Sequence, residues 1–221
     1  MSFAPYVVTD RAAGHLARIV RYSMLERVNH WLGAATYIYC LLTGLAFWSP
    51  YFFWLAVLVG GGPAARIWHP IVGVVFFLSM MWMLVDWHLD MDSIPEDAKW
   101  RDNVKHYIHN EDELMPPAGR FNWGQKIFFW VMFYAVILLL ITGVGMWWVE
   151  DIPWLWVRQL ATILHVITAL VTIGAFIIHV YMSIFFVPGS MGAMIEGDVS
   201  HEWARHHHRL WYEKVTGKSS R

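Results

Sequence analysis

Four long apolar segments constrain the fold of this chain more than any other feature. They lie at about residues 24–48, 64–87, 123–149 and 154–187. Each contains the roughly 20 predominantly apolar residues that an α-helix needs to cross a bilayer. Charged residues make up only 15% of the sequence, which is low for a soluble domain. We therefore predict an all-α integral membrane protein, a four-helix transmembrane bundle in a single domain that covers residues 1–221.

Local sequence signals mark where two of these helices begin. Ser23 and Glu26 have the spacing of a capping box before the first segment. Asn122 and Gln125 have a similar spacing before the third segment. The aromatic stretch at 51–59 is too short to span a bilayer, so we expect it to lie at the membrane interface.

The distribution of Lys and Arg predicts the orientation in the membrane. Fourteen of the 16 lie in the N-terminal segment, in the polar connection at 88–121 with the helix entrance that follows, or in the tail at 188–221. The two short connections contain the other two, Arg66 and Arg158. Positive residues accumulate on the cytoplasmic side, so we expect both termini, the long connection and an amphipathic tail to be cytoplasmic. An aromatic belt then marks the outer boundary: Trp48, Trp54, Trp68, Trp147, Trp148, Trp154 and Trp156.

Two histidines share one face of the fourth segment. His165 and His179 are fourteen residues apart, which is four helical turns less about 40°, and their separation along the axis is roughly 21 Å. A structural role, in which each ring bonds a neighbouring helix, is the alternative for either histidine alone. Two ionisable groups on one face of a membrane span favour a functional role, because such groups are costly in lipid.

Two further histidines complete the set. The predicted orientation places His69 and His165 near the outer side and His30 and His179 near the inner side, so the four form two layers of two. A pair of neutral imidazoles is the axial ligand set of a low-spin b-type haem that carries electrons. One zinc or copper ion does not fit four ligands at two depths. The chain has one cysteine and no CxxCH motif, which excludes a cysteine-held cluster and covalent haem attachment.

The sequence allows two roles for several other residues. Arg66 and Arg27 are suited to haem propionates or to lipid headgroups. Histidines in the polar segments are expected to be solvated surface groups, and the run at 206–208 to meet headgroups or a partner. Five glycines favour close approach of porphyrin or ordinary helix packing: Gly33, Gly44, Gly73, Gly143 and Gly145. A scaffold or transporter whose histidines relay protons is a competing function, but it requires polar residues along a path inside the spans.

Six stretches carry a resemblance to a known family. They are RVNHW (27–31), RIWHPIVG (66–73), RFNWGQKIFFW (120–130), LHVITA (164–169), IIHVYM (177–182) and GSMGAMIEGDVSHEWARHHHRLWY (189–212). Over about residues 21–213 the chain resembles the cytochrome b (gamma) subunit of membrane-bound respiratory formate dehydrogenases. Related di-haem cytochromes of uptake nickel–iron hydrogenases are the alternative.

The resemblance implies a function and a set of sites. The implied protein is the membrane anchor and quinone-reducing subunit of an oxidoreductase in the bacterial inner membrane. Two haem b are implied, with ligand pairs His69/His165 and His30/His179. A quinone site is implied at Asn122 and Gly124, and the quinone, either menaquinone or ubiquinone, is the electron acceptor. The bulky Trp123 between them departs from the family pattern, so the resemblance does not imply the shape of that pocket in this chain.

The same resemblance implies the partners. An iron–sulfur beta subunit in the periplasm delivers electrons to the outer haem, and a molybdenum or tungsten catalytic alpha subunit oxidises formate. Quinone is then reduced at the cytoplasmic side. A trimer of the whole heterotrimer is an expectation of the same kind, and no nucleic acid is expected.

Overall fold

The computed structural model describes residues 18–217. Arg11, Lys218 and Arg221, which contribute to the charge asymmetry above, lie outside the described residues, as does the end of the predicted tail. In chain order, the described residues form β1 (Arg18–Val20), α1 (Met24–Trp48), α2 (Gly61–Met91), α3 (Pro95–Asp102), α4 (Val104–Ile108), α5 (Trp123–Trp147), α6 (Leu155–Tyr181), α7 (Ser190–Glu196), β2 (Asp198–Ser200), α8 (His201–His207) and α9 (Arg209–Thr216).

Four of these helices are long and apolar enough to cross a membrane: α1, α2, α5, and α6 together with the π-helical turn Met182–Phe186 that continues it. The predicted helical membrane fold is thereby confirmed. The main difference is α2, which extends beyond the predicted 64–87 at both ends. Its last turns are anchored by polar contacts, because the Trp87 indole donates to Glu26 Oε1 at 2.6 Å and Asp90 accepts from Arg120 at 3.0 Å.

The two predicted helix caps are present. The Ser23 N–H donates to Glu26 Oε2 at 2.7 Å, and the Glu26 N–H donates to Ser23 Oγ at 3.2 Å. The Asn122 N–H donates to Gln125 Oε1 and the Gln125 N–H donates to Asn122 Oδ1, both at 3.0 Å. These reciprocal bonds satisfy backbone donors that the first turn of a helix leaves free.

The aromatic stretch after α1 forms a 3₁₀-helix, Pro50–Val59. Leu55 and Ala56 are buried against Leu42 and Leu45 of α1, whereas Tyr51 is 88% exposed. The stretch therefore folds back on the end of α1 and presents an aromatic surface. The seven tryptophans of the predicted belt are all exposed as well.

A two-stranded antiparallel sheet is an addition to the all-α prediction. Strand β1 pairs with β2, with Arg18 opposite Ser200 and Ile19 opposite Val199. The Ile19 and Val199 side chains are buried. Strands of three residues are too short to show an alternating pattern in sequence, so the pairing was not predicted.

The described chain divides into two compact units. We call residues 18–27, 87–129 and 180–217 the polar unit, and residues 28–86 and 130–179 the span unit. The prediction of one domain over residues 1–221 stays a prediction.

Buried charge organises the polar unit. The Arg120 guanidinium donates to Glu26, to Asp90 and to the Arg21 carbonyl at 2.7, 3.0 and 2.8 Å. Lys126 donates to Asp97 at 2.7 Å, and both side chains are about 6% exposed. Burial of these cations is tolerated because each is paired and hydrogen-bonded.

His208 corrects the expectation that the tail histidines are solvated. It is 2% exposed, its Nδ1 lies 2.8 Å from the Gly119 carbonyl, and its Nε2 lies 3.0 Å from an Arg21 nitrogen. The neutral ring satisfies both contacts, since it donates to the carbonyl and accepts from the guanidinium. Burial, together with the charge of Arg21, lowers the pKa of His208 well below its usual value.

Candidate functional site

The structure brings the four membrane histidines together in two pairs, both within the span unit. The ring centroids of His69 and His165 are 6.4 Å apart, and the ring planes are inclined by 57°. The ring centroids of His30 and His179 are 6.2 Å apart, with an inclination of 50°. These are the pairs that topology and helical rise indicated. We call the first the outer pair and the second the inner pair, names taken from the predicted orientation.

The separation within each pair matches the width of a metal ion between two rings. A metal–imidazole bond is about 2.0 Å long and each ring centroid lies about 1.1 Å beyond its nitrogen, so two axial imidazoles have centroids about 6.2 Å apart. The same separation also lies within the ~4.5–7 Å range of ordinary aromatic pairs, so the distance permits a haem iron but does not require one. The role of both pairs as haem ligands stays a prediction.

Threonine hydroxyls orient both rings of the outer pair. Thr43 Oγ1 on α1 lies 2.6 Å from His69 Nδ1. Thr142 Oγ1 on α5 lies 2.9 Å from His165 Nδ1. Sequence reasoning missed both threonines, because a hydroxyl in an apolar helix gives no sign of the neighbouring helix that it faces.

The hydrogen bonds of these threonines determine the tautomer of each histidine. Thr43 Oγ1 donates to the Tyr39 carbonyl at 2.7 Å, and Thr142 Oγ1 donates to the Leu138 carbonyl at 2.7 Å. A hydroxyl has one proton to donate, so each threonine oxygen accepts the Nδ1–H of its histidine. The Nε2 lone pair is left for a metal, which is the arrangement of metal-binding histidines in general.

The inner pair differs in its polar contacts. His30 Nδ1 is buried and has no hydrogen-bond partner among the described residues. The His30 Nδ1 therefore lacks an acceptor of the kind that Thr43 and Thr142 provide in the outer pair. The Trp31 ring meets the His30 ring edge-on at 5.3 Å.

The glycines divide between the two predicted roles. A Cβ at Gly143 would lie 3.4 Å from His165 Cε1, and a Cβ at Gly44 would lie 3.6 Å from His69 Cε1, so both glycines leave space beside the outer pair. A Cβ at Gly33 would lie 3.0 Å from both Met83 Cε and Ser79 Oγ, which marks close packing of α1 on α2.

A layer of side chains separates the two pairs. Thr172 lies seven residues from both His165 and His179, roughly 10 Å along α6 from each. Its hydroxyl accepts a hydrogen bond from the Tyr37 hydroxyl at 3.2 Å. The Tyr37 ring contacts Phe76 of α2 at 5.5 Å and Phe176 of α6 at 4.9 Å. Three helices therefore meet midway between the pairs.

Arg66 lies in a cleft beside the outer pair. The cleft has a volume of about 750 Å³ and includes Phe47, whose ring meets His69 edge-on at 5.5 Å. This position is compatible with a haem propionate or with a lipid headgroup. In the polar unit, Arg27 donates to the Ile195 carbonyl at 2.5 Å.

The predicted quinone residues lie in the polar unit at the start of α5. The Asn122 side chain caps the helix, because its Oδ1 accepts from the Gln125 N–H. A Cβ at Gly124 would lie 3.5 Å from Asn122 Oδ1 and 3.7 Å from the Trp100 ring, so this glycine opens space next to the cap. Trp123 packs against Trp100 at 6.1 Å. An amide and an aromatic wall suit a flat quinone head.

The sequence profile of the prokaryotic cytochrome b561 family matches residues 21–197, a range that contains all four membrane histidines. The chain belongs to the prokaryotic cytochrome b561 family. Membership implies a membrane-bound cytochrome that binds haem b, and it agrees with the four candidate membrane helices.

Curated relatives of this cytochrome are subunits of formate dehydrogenases. The cytochrome b556(fdo) subunit of formate dehydrogenase from Escherichia coli K12 is 38% identical over 203 residues, which are 89% of this chain and 93% of that protein. The cytochrome b556 subunit from Haemophilus influenzae is 33% identical over 210 residues, covering 91% and 85%. The nitrate-inducible cytochrome b556(Fdn) subunit from E. coli K12 is 33% identical over 202 residues, covering 89% and 91%. The resemblance inferred from the motifs is confirmed.

Proposed function

We propose that this cytochrome is the membrane anchor and electron-transfer subunit of a formate dehydrogenase. It transfers electrons from an iron–sulfur subunit to quinone, and formate is oxidised in a separate molybdenum or tungsten subunit. The support is the similarity to formate dehydrogenase cytochrome b subunits along nearly the whole chain. The same similarity favours formate dehydrogenase over an uptake hydrogenase as the partner enzyme.

Two haem b are held by the two histidine pairs in this proposal. His69 and His165 are the ligands of one, and His30 and His179 are the ligands of the other. The observation that carries the assignment is that histidines from different helices meet in two pairs, with ring centroids 6.4 and 6.2 Å apart, a separation that accommodates an iron. Haem iron with two axial imidazoles supplies one-electron transfer without an open position for substrate.

Protein groups around the outer pair prepare it for the metal. Thr43 and Thr142 hold the Nδ1–H tautomer, so Nε2 is presented as a lone pair before any metal binds. A neutral ligand set in an apolar environment suits a group that changes charge by one electron.

The quinone is reduced at Asn122 and Gly124. The Asn122 amide supplies hydrogen bonds to a quinone oxygen, and the aromatic rings of Trp100 and Trp123 provide apolar contact for its head. In the predicted orientation, both termini are cytoplasmic and this site faces the cytoplasm of the bacterial inner membrane. Electrons that move inward against the membrane potential each require about 2.3 kcal/mol per 100 mV.

Haem content tests this proposal directly. The intact complex is purified and assayed by pyridine haemochrome, and we expect two b haems per chain of this cytochrome. His179→Ala is expected to remove one haem and to abolish quinone reduction by formate. His109→Ala, which changes an exposed histidine of the polar unit, is the matched control and retains both haems. A His179→Ala complex that reduces quinone at the parental rate would refute the assignment.

A further inference from the structure

Three metal-ligating side chains meet in the polar unit, and none of them has a role in the site described above. Asp112 Oδ2 lies 3.5 Å from His206 Nε2 and 4.0 Å from His207 Nδ1. These three ligand atoms all lie within 4.8 Å of one another. Two imidazoles and one carboxylate form a ligand set that suits divalent transition metals. The cluster therefore has the composition of a metal site.

The spacing of the three atoms favours a shared ion over direct hydrogen bonds. A hydrogen bond between a ring nitrogen and a carboxylate oxygen is about 2.7–3.2 Å long. Ligand atoms that lie about 2.0–2.1 Å from a tetrahedral Zn²⁺ are roughly 3.3–3.4 Å from one another. The observed 3.5 and 4.0 Å exceed the first range and lie near the second. Shifts of less than an ångström bring all three atoms to one ion.

Local backbone geometry explains how two consecutive histidines reach the same carboxylate. His206 and His207 lie in the last turn of α8, where successive side chains point about 100° apart. The first reaches Asp112 with its distal nitrogen, Nε2, and the second with its proximal nitrogen, Nδ1. The two rings are nearly perpendicular, at 86°, with centroids 4.7 Å apart. An ion pair with one protonated histidine, which is the alternative, would not require both nitrogens to converge.

Both sides of the cluster are held by contacts outside it. Ser200 caps α8, because its hydroxyl oxygen accepts from the Trp203 N–H at 3.1 Å. The Trp203 ring packs against the His207 ring, with centroids 5.0 Å apart. Asp112 begins a 3₁₀ turn in which its carbonyl accepts from the Met115 N–H at 3.1 Å. The ligand-bearing segments are therefore ordered by the chain itself.

The cluster is open to water on one side. The side chains of His206, Asp112 and His207 are 45%, 22% and 17% exposed. An aqueous ion can enter at His206, and a water molecule can complete the coordination. Three protein ligands with a water in the fourth position are a common arrangement for zinc.

We propose that Asp112, His206 and His207 bind one Zn²⁺ ion. The ion joins the polar connection at 88–121 to the tail within the polar unit and stabilises the contact between these segments. Imidazole ligands select Zn²⁺ over Mg²⁺ and Ca²⁺, which prefer oxygen ligands. The proposal does not depend on the haems or on the quinone site.

Zinc uptake by the intact purified complex tests the proposal. Parent, Asp112→Asn and His206→Ala complexes are dialysed against micromolar Zn²⁺, and bound zinc is counted by mass spectrometry. We expect the parent to bind one more zinc per cytochrome chain than either variant, which removes the contribution of other subunits. Loss of an outer-shell partner alone typically costs 10–100-fold in affinity, so loss of a ligand should weaken binding at least about tenfold.

Matched variants separate metal binding from a general effect on the polar unit. Glu111→Gln changes the neighbouring carboxylate, which pairs with His106, and His109→Ala removes an exposed histidine of the same unit. Both are expected to bind zinc like the parent, and Asp112→Glu is expected to retain most of the binding. Excess Mg²⁺ should not displace the zinc. Zinc should also raise the unfolding temperature of the parent but not that of Asp112→Asn, because only the parent binds the ion when folded.

The outcomes decide between the site and its absence. Equal zinc uptake by the parent, Asp112→Asn and His206→Ala would overturn the proposal, and so would no uptake by the parent. A zinc deficit only in variants that also contain less haem than the parent would overturn it too, since the deficit would then follow from misassembly. A parent complex without two haems would refute the proposed function, while the zinc count would still decide this proposal.

Discussion

The outer and inner histidine pairs have nearly the same ring separation but different surroundings. In the outer pair, both Nδ1 atoms contact a threonine hydroxyl on a neighbouring helix. In the inner pair, the His30 Nδ1 is buried without a partner among the described residues. The outer rings are therefore oriented by directed hydrogen bonds, whereas His30 is positioned by packing.

This difference bears on the electronic properties of the two sites. An imidazole that donates its Nδ1–H becomes a stronger donor through Nε2, which favours the oxidised form of a bound metal. If the pairs hold haems as proposed, two such bonds would lower the reduction potential of the outer haem relative to the same site with one bond fewer. Electrons would then move to the inner haem with a favourable change in free energy.

The largest expected effect comes from removing one ligand of each pair. In this interpretation, His165→Ala loses the outer haem and His30→Ala loses the inner haem, so each retains one b haem per chain instead of two. Pyridine haemochrome gives the count, and redox titration of the remaining haem assigns its potential. Retention of two haems in both variants would contradict the ligand pairs, and a lower potential for the haem left in His30→Ala than in His165→Ala would support the comparison.

A smaller effect is expected from the threonines. Thr43→Val and Thr142→Val keep the shape of the side chain and leave the Nδ1–H of the histidine without its acceptor. The loss of a hydrogen bond worth ~1 kcal/mol to one redox state corresponds to a rise of about 40 mV in the potential of the outer haem. Redox titration followed in the haem absorption bands measures the shift.

Thr36→Val is the matched control for these threonine variants. Thr36 is also on α1, and its hydroxyl donates to the Leu32 carbonyl of its own helix. We expect no shift in either potential. If Thr36→Val moves the outer potential as much as Thr43→Val does, the hydrogen bond to the imidazole is not the cause.

The smallest expected effect on the haem potentials is at the layer between the pairs. Tyr37→Phe removes the hydrogen bond to Thr172 and keeps the ring contacts, which costs about 1 kcal/mol of stability. Thermal unfolding of the purified complex measures the loss. Because the layer lies between both pairs, the two haem potentials should change equally or not at all, and an unequal change would show that the layer acts on one pair.

The positions of the histidines were predictable, and their supporting groups were not. Helical rise and the order of the spans are enough to place His165 and His179 at two depths and to match each with a partner. The contact of Thr142 with His165 depends on how two helices are rotated about their axes, which an apolar sequence does not reveal.

The burial of His208 in the tail could not be predicted from the sequence for a similar reason. His208 is one of three consecutive histidines in a polar segment, and composition alone favours solvent exposure. Its two partners, Gly119 and Arg21, are 89 and 187 residues away. Long-range contacts of this kind have no local pattern, and the short pairing of β1 with β2 was missed for the same reason.

The pairing of β1 with β2 sets an order of events during biosynthesis. The Arg18 strand cannot pair with Ser200 until the ribosome has passed all four membrane helices, since 182 positions separate these two residues. The first strand must therefore wait while all four hydrophobic helices are inserted. Formation of the sheet in the polar unit is therefore a late folding step. A chain truncated before β2 would leave β1 unpaired and accessible to proteases.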